Sequence, residues 1–200
     1  MPIHLFRYIS KVRPKDNAKV EAIFEATIGL TGELGLDKLT ISAIANRADI
    51  ASGTLYIYFD GKEQLLNELY KSLMQKGTLS LLPSITHLPL KKQLMSIWAS
   101  VLKFRVVNSA DVVFMHQFRY SSLISGEAKN LDERFLGHVS RLLNAGKKEC
   151  IIKDVDNELL FPLLYGYVNS LARDMVSKNI TLTETLIETT FGICWDAIKA

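Results

Sequence analysis

The sequence predicts an all-α protein of about nine helices, two of them short and near the N-terminus, the later ones longer and more apolar. Three observations support this. Apolar residues recur at spacings of three and four along most of the chain, the period of a helix with one buried face. No stretch shows the apolar/polar alternation of a half-buried strand. With 48% hydrophobic and 22% charged residues over 200 positions, the chain has the apolar material of an ordinary folded core and lacks the composition of disorder.

Met1 to Lys15 carries Arg7, Lys11, Arg13 and Lys15 and no acidic residue. A basic arm of this kind can follow a DNA backbone or enter a minor groove; the other reading is a solvated terminus that packs Leu5, Phe6, Tyr8 and Ile9 back on the protein. The first helix is expected from about Asp16 to Leu34, burying Val20, Ile23, Phe24, Thr27, Leu30 and Leu34. Gly35 suits the left-handed residue that ends it.

The stretch from Thr40 to Glu63, TISAIANRADIASGTLYIYFDGKE, reads as two short helices joined by a tight turn and followed by the start of another. Ile41, Ile44, Ala45 and Ala48 mark the buried face of the first, with Ser42 outside and Thr40 at the N-cap. Asp49 stands in the turn, where a short polar side chain tolerates a left-handed backbone. Ser52 is expected to cap the second helix, and Leu55 and Phe59 to anchor it from beneath. Ser52, Gly53, Thr54, Tyr56, Ile57 and Tyr58 then face outwards. Such a face is unusual against water, but its small residues allow close approach and its hydroxyls can bond phosphate oxygens. A helix of about seven residues spans roughly 10 Å, enough to lay one face in a major groove. This is the geometry of a helix-turn-helix. Asp60 as N-cap, answered by Glu63, is expected to start the next helix and direct Lys62 to the same phosphates. The candidate DNA-binding residues are therefore Ser42, Ser52, Gly53, Thr54, Tyr56, Ile57, Tyr58 and Lys62, with Ile57 placed to touch a thymine methyl.

From Ile23, Ala26 and Leu30, through Glu33-Leu34-Gly35, Leu39-Thr40 and Ile44-Ala45, to Gly-Thr-Leu-Tyr-x-Tyr-Phe-x-x-Lys-Glu at Gly53 to Glu63, the first third of the chain resembles the TetR/AcrR family of bacterial transcriptional repressors. It departs from the family's pattern where Asp49 replaces Gly, Ala51 replaces Ser, and Gly61 replaces Ser or Asn. The resemblance implies a three-helix DNA-binding domain, here residues 1–63 with the basic arm, and a helical ligand-binding and dimerisation domain, residues 64–200. It also implies a sequence-specific regulator, a repressor, that binds a palindromic double-stranded operator as a homodimer and is released by a small, largely apolar effector.

The fourth helix, about Gly61 to Gly77, carries Leu65, Leu66, Leu69, Tyr70 and Leu73 and is the expected lever between the two domains. Helices follow over Lys91 to Val107, after a cap at Asp111, over Glu127 to Lys148, Asn157 to Lys178 and Thr183 to Lys199, the last led by a capping box from Thr181 to Glu184. Met95, Trp98, Leu102, Phe114, Met115, Phe118 and Tyr120 offer aromatic and flexible surface for an apolar effector cavity. Arg105, His116 and Arg119 are candidates to orient a polar group of the ligand. The alternatives are plain core packing for the first set and solvent-facing or structural roles for the second. Leu163, Tyr167, Leu171, Ile187, Thr190 and Cys194 in the last two helices are the candidate dimer interface. The resemblance implies a four-helix pairing there, and the alternative is again core. One short recognition helix meets few bases, so tight binding calls for two half-sites. A filled core around Trp98 and Phe114 would instead mean a DNA-binding regulator governed by its abundance or by a protein partner.

Other classes find little support. Glu-x-x-His, His-Glu-x-x-His and Cys-x-x-Cys motifs, a phosphate loop and a serine elbow are all missing. His4, His87, His116 and His138 lack metal-ligand spacing, so no catalysis, metal or cofactor is expected. Cys150 and Cys194 read as reduced thiols, buried, in a cytoplasmic protein. No apolar run reaches about 18 residues, and no leader-like N-terminus is present, so no membrane association is expected. A net charge of +3 is small, and the DNA-binding signal must rest on position.

Overall fold

The computed structural model describes residues 17–79 and 86–200; the basic N-terminal arm lies outside them. In chain order the elements are α1 (Asn17–Leu34), a 3-10 turn (Leu36–Lys38), α2 (Ile41–Arg47), α3 (Ser52–Tyr58), α4 (Lys62–Met74), a π-helical turn (Gln75–Leu79), α5 (Leu90–Val107), α6 (Ser109–Arg119), α7 (Gly126–Lys148), α8 (Asn157–Ser177) and α9 (Glu184–Ile198). The all-α class is as expected, with nine α-helices among the described residues. Among the described residues the one β pairing is an isolated antiparallel bridge between Ile152 and Lys199.

The chain divides into two compact units. The first holds the described residues up to Leu69 together with Val113–Ile124, the second Tyr70–Val112 with Ser125–Ala200. Helices α4 and α6 therefore each have residues in both.

In the first unit α1 buries Val20, Ile23, Ala26 and Leu30. Its stripe includes two threonines, whose buried hydroxyls are satisfied by donating to the Ile23 and Thr27 carbonyls, each at 2.7 Å. Leu34, expected in the same stripe, is 44% exposed. The helix stops there and Gly35, at φ +81°, turns the chain so that Leu36 takes the buried place. Ile44, Leu55, Leu65, Leu66, Phe114 and Phe118 are completely buried in this unit. Each such side chain contributes about 1.5–3 kcal/mol of apolar burial.

Thr40 caps α2 as expected, its hydroxyl accepting the Ala43 N–H at 3.1 Å. The helix ends in a Schellman closure. Asp49 takes φ +55°, its N–H donates to Asn46 O at 3.2 Å, and the Ile50 N–H reaches back to Ala45 O at 3.0 Å. The same closure recurs after α7 with Cys150 at φ +55° and after α8 with Asn179 at φ +52°. Other caps differ from expectation. Asp111 lies inside the first turn of α6, which starts at Ser109. The cap of α9 is Thr183, whose hydroxyl accepts the Leu186 N–H at 3.2 Å, so the box from Thr181 to Glu184 does not form.

The second unit is centred on α5, α8 and α9. Leu94, Trp98 and Leu102 pack with Val168, Ala172 and Met175 of α8 and with Ile187, Phe191 and Trp195 of α9. The Trp98 indole N–H donates to Thr190 Oγ1 at 3.2 Å, and that hydroxyl in turn donates to the Leu186 carbonyl at 2.8 Å. Asn157 ties α7 to α8, its amide donating to Ser140 Oγ and its carbonyl accepting from Lys147 Nζ. Cys194 belongs to this core, where burial pushes its thiol up to about 11. Cys150, expected to be buried, is exposed on the left-handed turn.

Two outcomes follow from this packing. Asp49→Gly should raise stability by about 0.5–1 kcal/mol, because glycine removes the left-handed penalty and the acidic charge leaves the negative end of α2; chemical denaturation measures it, and a lower midpoint would contradict the account. At pH 8 a thiol reagent should modify Cys150 and spare Cys194 until the chain is unfolded. Equal labelling of both thiols in the folded protein would contradict the burial of Cys194.

Candidate nucleic-acid interface

Helix α3 is held from one side. Leu55 is completely buried and Phe59 nearly so, with the Phe59 ring 5.8 Å from that of Phe24 on α1. The opposite face is bare: Tyr56 is 57% and Ile57 79% exposed, Ser52 and Gly53 are exposed, and Thr54 and Tyr58 are half-buried. A Cβ added at Gly53 would meet nothing within 4 Å, so the first turn of the helix is open to close approach. Ser42 stands exposed on α2.

Two local expectations are corrected here. The N-cap of α3 is Ala51, at φ −66° and ψ 142°, with no side-chain cap; Ser52 is the first helical residue and is released from capping. The next helix begins one residue later than expected. Gly61 O accepts the Leu65 N–H at 3.1 Å, and it is Gln64, rather than Glu63, whose side chain accepts the Asp60 N–H. Lys62 is thus the first residue of α4, and its Nζ donates to the Leu36 carbonyl at 3.3 Å. A lysine at this position is opposed by the positive end of the helix dipole, which favours a nearby anion.

Arg47, at the end of α2, is engaged within the unit. Its guanidinium grips Glu33 of α1 at 2.8 and 3.0 Å, which lowers the Glu33 carboxyl below its usual range through that hydrogen bond and raises Arg47. Gln117 of α6 is a contact that sequence reasoning missed. Its Oε1 accepts the Leu36 N–H at 3.0 Å, across 81 residues, and no periodic or motif signal announces it.

The candidate effector residues are divided between the two units. Met95, Trp98, Leu102 and Arg105 fall in the second unit, and Phe114, Met115, His116, Phe118, Arg119 and Tyr120 in the first. Trp98 and Leu102 are packed in the core of the second unit; Phe114 and Phe118 stack on each other at 5.6 Å, buried in the first. Met115 and Arg119 are half-buried. His116 and Tyr120 are exposed and meet edge to face at 5.5 Å. Arg105 is half-buried over the Tyr165 ring at 4.9 Å, with Nε buried and without an acceptor among the described residues.

The candidate dimer residues divide similarly. Leu163 is exposed, and Tyr167 and Leu171 are half-buried. Ile187, Thr190 and Cys194 face the core of their own unit, so the outward face of α9 is instead formed by residues such as Thr185, Thr189 and Ile193. The spacing of four among these three was the signal available for that face.

Among the described residues, no group of three or more His, Cys, Asp or Glu side chains is arranged for a metal, and no helix is long and apolar enough to cross a membrane.

Two family models match the chain. "Bacterial regulatory proteins, tetR family" covers residues 23–69, and "Tetracyclin repressor-like, C-terminal domain" covers residues 89–199. The chain is 23% identical over 180 residues to an "uncharacterized HTH-type transcriptional regulator" of Haemophilus influenzae, spanning 90% of this chain and 95% of that one. A TetR family transcription regulator from Marinobacter aquaeolei has a similar structure, with a TM-score of 0.79 and 25% identity over 94% of this chain and 99% of that one. The fold is also that of the regulator FadR from Bacillus subtilis in complex with stearoyl-CoA, with a TM-score of 0.69 and 19% identity over 89% and 98% of the two chains. With both its DNA-reading helices and its larger helical part matched, the chain belongs to the TetR family of DNA-binding transcriptional regulators.

Proposed function

We propose that the protein acts in the cytoplasm as a repressor, binding as a homodimer with two copies of α3 in successive major grooves of a palindromic operator, and that a small, largely apolar effector releases it. The observation that carries the DNA-reading part is the asymmetry of α3, with Leu55 and Phe59 buried and Tyr56 and Ile57 exposed. An isoleucine left 79% exposed contributes nothing to the chain's own core and is suited to a thymine methyl. Dimerisation is supported by the exposed apolar residues of the last two helices, Leu159, Leu163 and Ile193, which are 67%, 43% and 58% exposed. The FadR structure with stearoyl-CoA makes long-chain acyl groups the first effector class to test.

Selection of the purified chain on random duplex DNA, followed by sequencing, should enrich a palindrome with two half-sites. Absence of enrichment at both low and moderate salt would refute sequence-specific reading. Ile57→Ala should change the bases selected at one position of each half-site while lowering overall affinity little; an unaltered motif would remove Ile57 from base reading.

A second reading has its own observation. Trp98 is 6% exposed with its N–H satisfied by Thr190, and Phe114 is completely buried, and this close packing supports a regulator without a small-molecule effector. Operator release and melting temperature measured across a series of acyl-CoA chain lengths separate the two. Release with a rise in melting temperature supports the effector, and neither change at any chain length supports control by abundance or by a protein partner.

A further inference from the structure

Both backbone polar groups of Leu36, which belong to the two successive peptide units on either side of its Cα, are bonded by side chains from elsewhere in the first unit, and the carbonyl also accepts the Leu39 N–H at 3.3 Å. The Leu36 N–H donates to Gln117 Oε1 of α6 at 3.0 Å, and the carbonyl accepts from Lys62 Nζ of α4 at 3.3 Å. Leu36 itself is buried and follows Gly35, so these peptide units sit at the point where the chain turns from α1 towards α2. The α6 segment is fixed to the same unit at further points. Phe114 and Phe118 are completely buried there, and Asn67 Nδ2 of α4 donates to the Leu123 carbonyl at 2.9 Å.

We propose that Gln117 is a positioning residue for DNA binding, which anchors the backbone at Leu36 through its N–H so that the carbonyl of the next peptide unit holds Lys62 at the start of α4, ready for a DNA phosphate. This rests on the reading of Lys62 as a phosphate contact. Lys62 stands against the positive end of its own helix and needs an acceptor, and the Leu36 carbonyl supplies one in the free protein. A phosphate entering at the helix start exchanges with that carbonyl, and the turn that Gln117 fixes determines from where the lysine reaches it. A surface cleft of about 410 Å³ lined by Leu34, Asp37, Lys38, Gln117, Tyr120 and Ser121 opens beside the bond. Gln117 thus works at a solvated edge, and replacing it removes little core packing.

The test is a double-mutant cycle on the full chain. Affinity for the selected operator duplex is measured over a salt series for the wild type, Lys62→Ala, Gln117→Met and the double variant, with melting temperatures alongside. Gln117→Met, which keeps the side chain's length and loses its acceptor, should weaken binding about five- to tenfold, the effect of one well-placed hydrogen bond. Gln117→Glu, which still accepts the Leu36 N–H, should stay within about twofold of the wild type. In the Lys62→Ala background Gln117→Met should change affinity by less than about twofold, since the relay then has nothing to position. An equal loss in both backgrounds, or no loss in the wild type, overturns the proposal. If Gln117→Met lowers the melting temperature, Gln117→Asn, which keeps the amide but withdraws it by one methylene, serves for the same comparison. Lys62→Ala with an unchanged salt slope would remove Lys62 from the phosphates and the relay with it. A slope lower by about one per half-site, with Gln117→Met silent, would keep the phosphate contact and refute the relay alone.

Discussion

Seven residues make about two turns, and a helix that short does not persist in water on its own propensity, so α3 exists because Leu55 and Phe59 are packed from beneath. That dependence shapes the rest of the first unit. Phe59 needs the Phe24 ring of α1 to close on, and the two helices can meet only if the chain reverses within a few residues between α2 and α3. The Schellman closure at Asp49 supplies that reversal while satisfying the last carbonyls of α2. Because anchoring is confined to one side, the other side of α3 is free of any packing duty. Tyr56 and Ile57 are left in solvent by the same geometry that holds the helix in place.

The helices were legible because their periodicity is strong; the exact caps were less so. Thr40 is the cap that the sequence indicates, whereas Ser52, Asp60, Asp111 and Thr181 each lie within three residues of the first helical residue without capping it as expected. In such clusters several polar residues are competent caps, and the packing of the helix decides which is used. The case of Ala51 shows this well, because α3 begins after a residue that cannot cap at all. Side-chain bonds across long separations, such as Gln117 to Leu36 or Trp98 to Thr190, leave no trace in a single sequence.

The two candidate surfaces of the larger domain were harder to assign for a different reason. A helix in the middle of a bundle has apolar residues on more than one side, and periodicity finds the stripes without saying which faces inwards. In α9 the larger stripe, with Ile187, Thr190, Phe191 and Cys194, closes the chain's own core, and the thinner one with Thr189 and Ile193 is outside. The aromatic residues behave alike. Trp98, Phe114 and Phe118 are apolar enough for an effector cavity and equally for a core; Trp98 packs in the core of its unit, and Phe114 and Phe118 are buried and stack on each other.

That packing constrains how any effector can act. A ligand that enters beside Trp98 has to displace side chains from contact and offer a partner to the indole N–H or leave it unpaired, at a cost of about 1–3 kcal/mol for the lost bond. The competent state is then a minor one, and the apparent affinity falls by about tenfold for each 1.4 kcal/mol of opening. A small polar effector has little area with which to offset this. A long apolar chain has more, at about 0.8 kcal/mol for each buried methylene. Were an effector to enter this core, packing of this kind would favour a large apolar molecule over a small polar one. The same opening cost keeps the unliganded core around Trp98 in a single packed state.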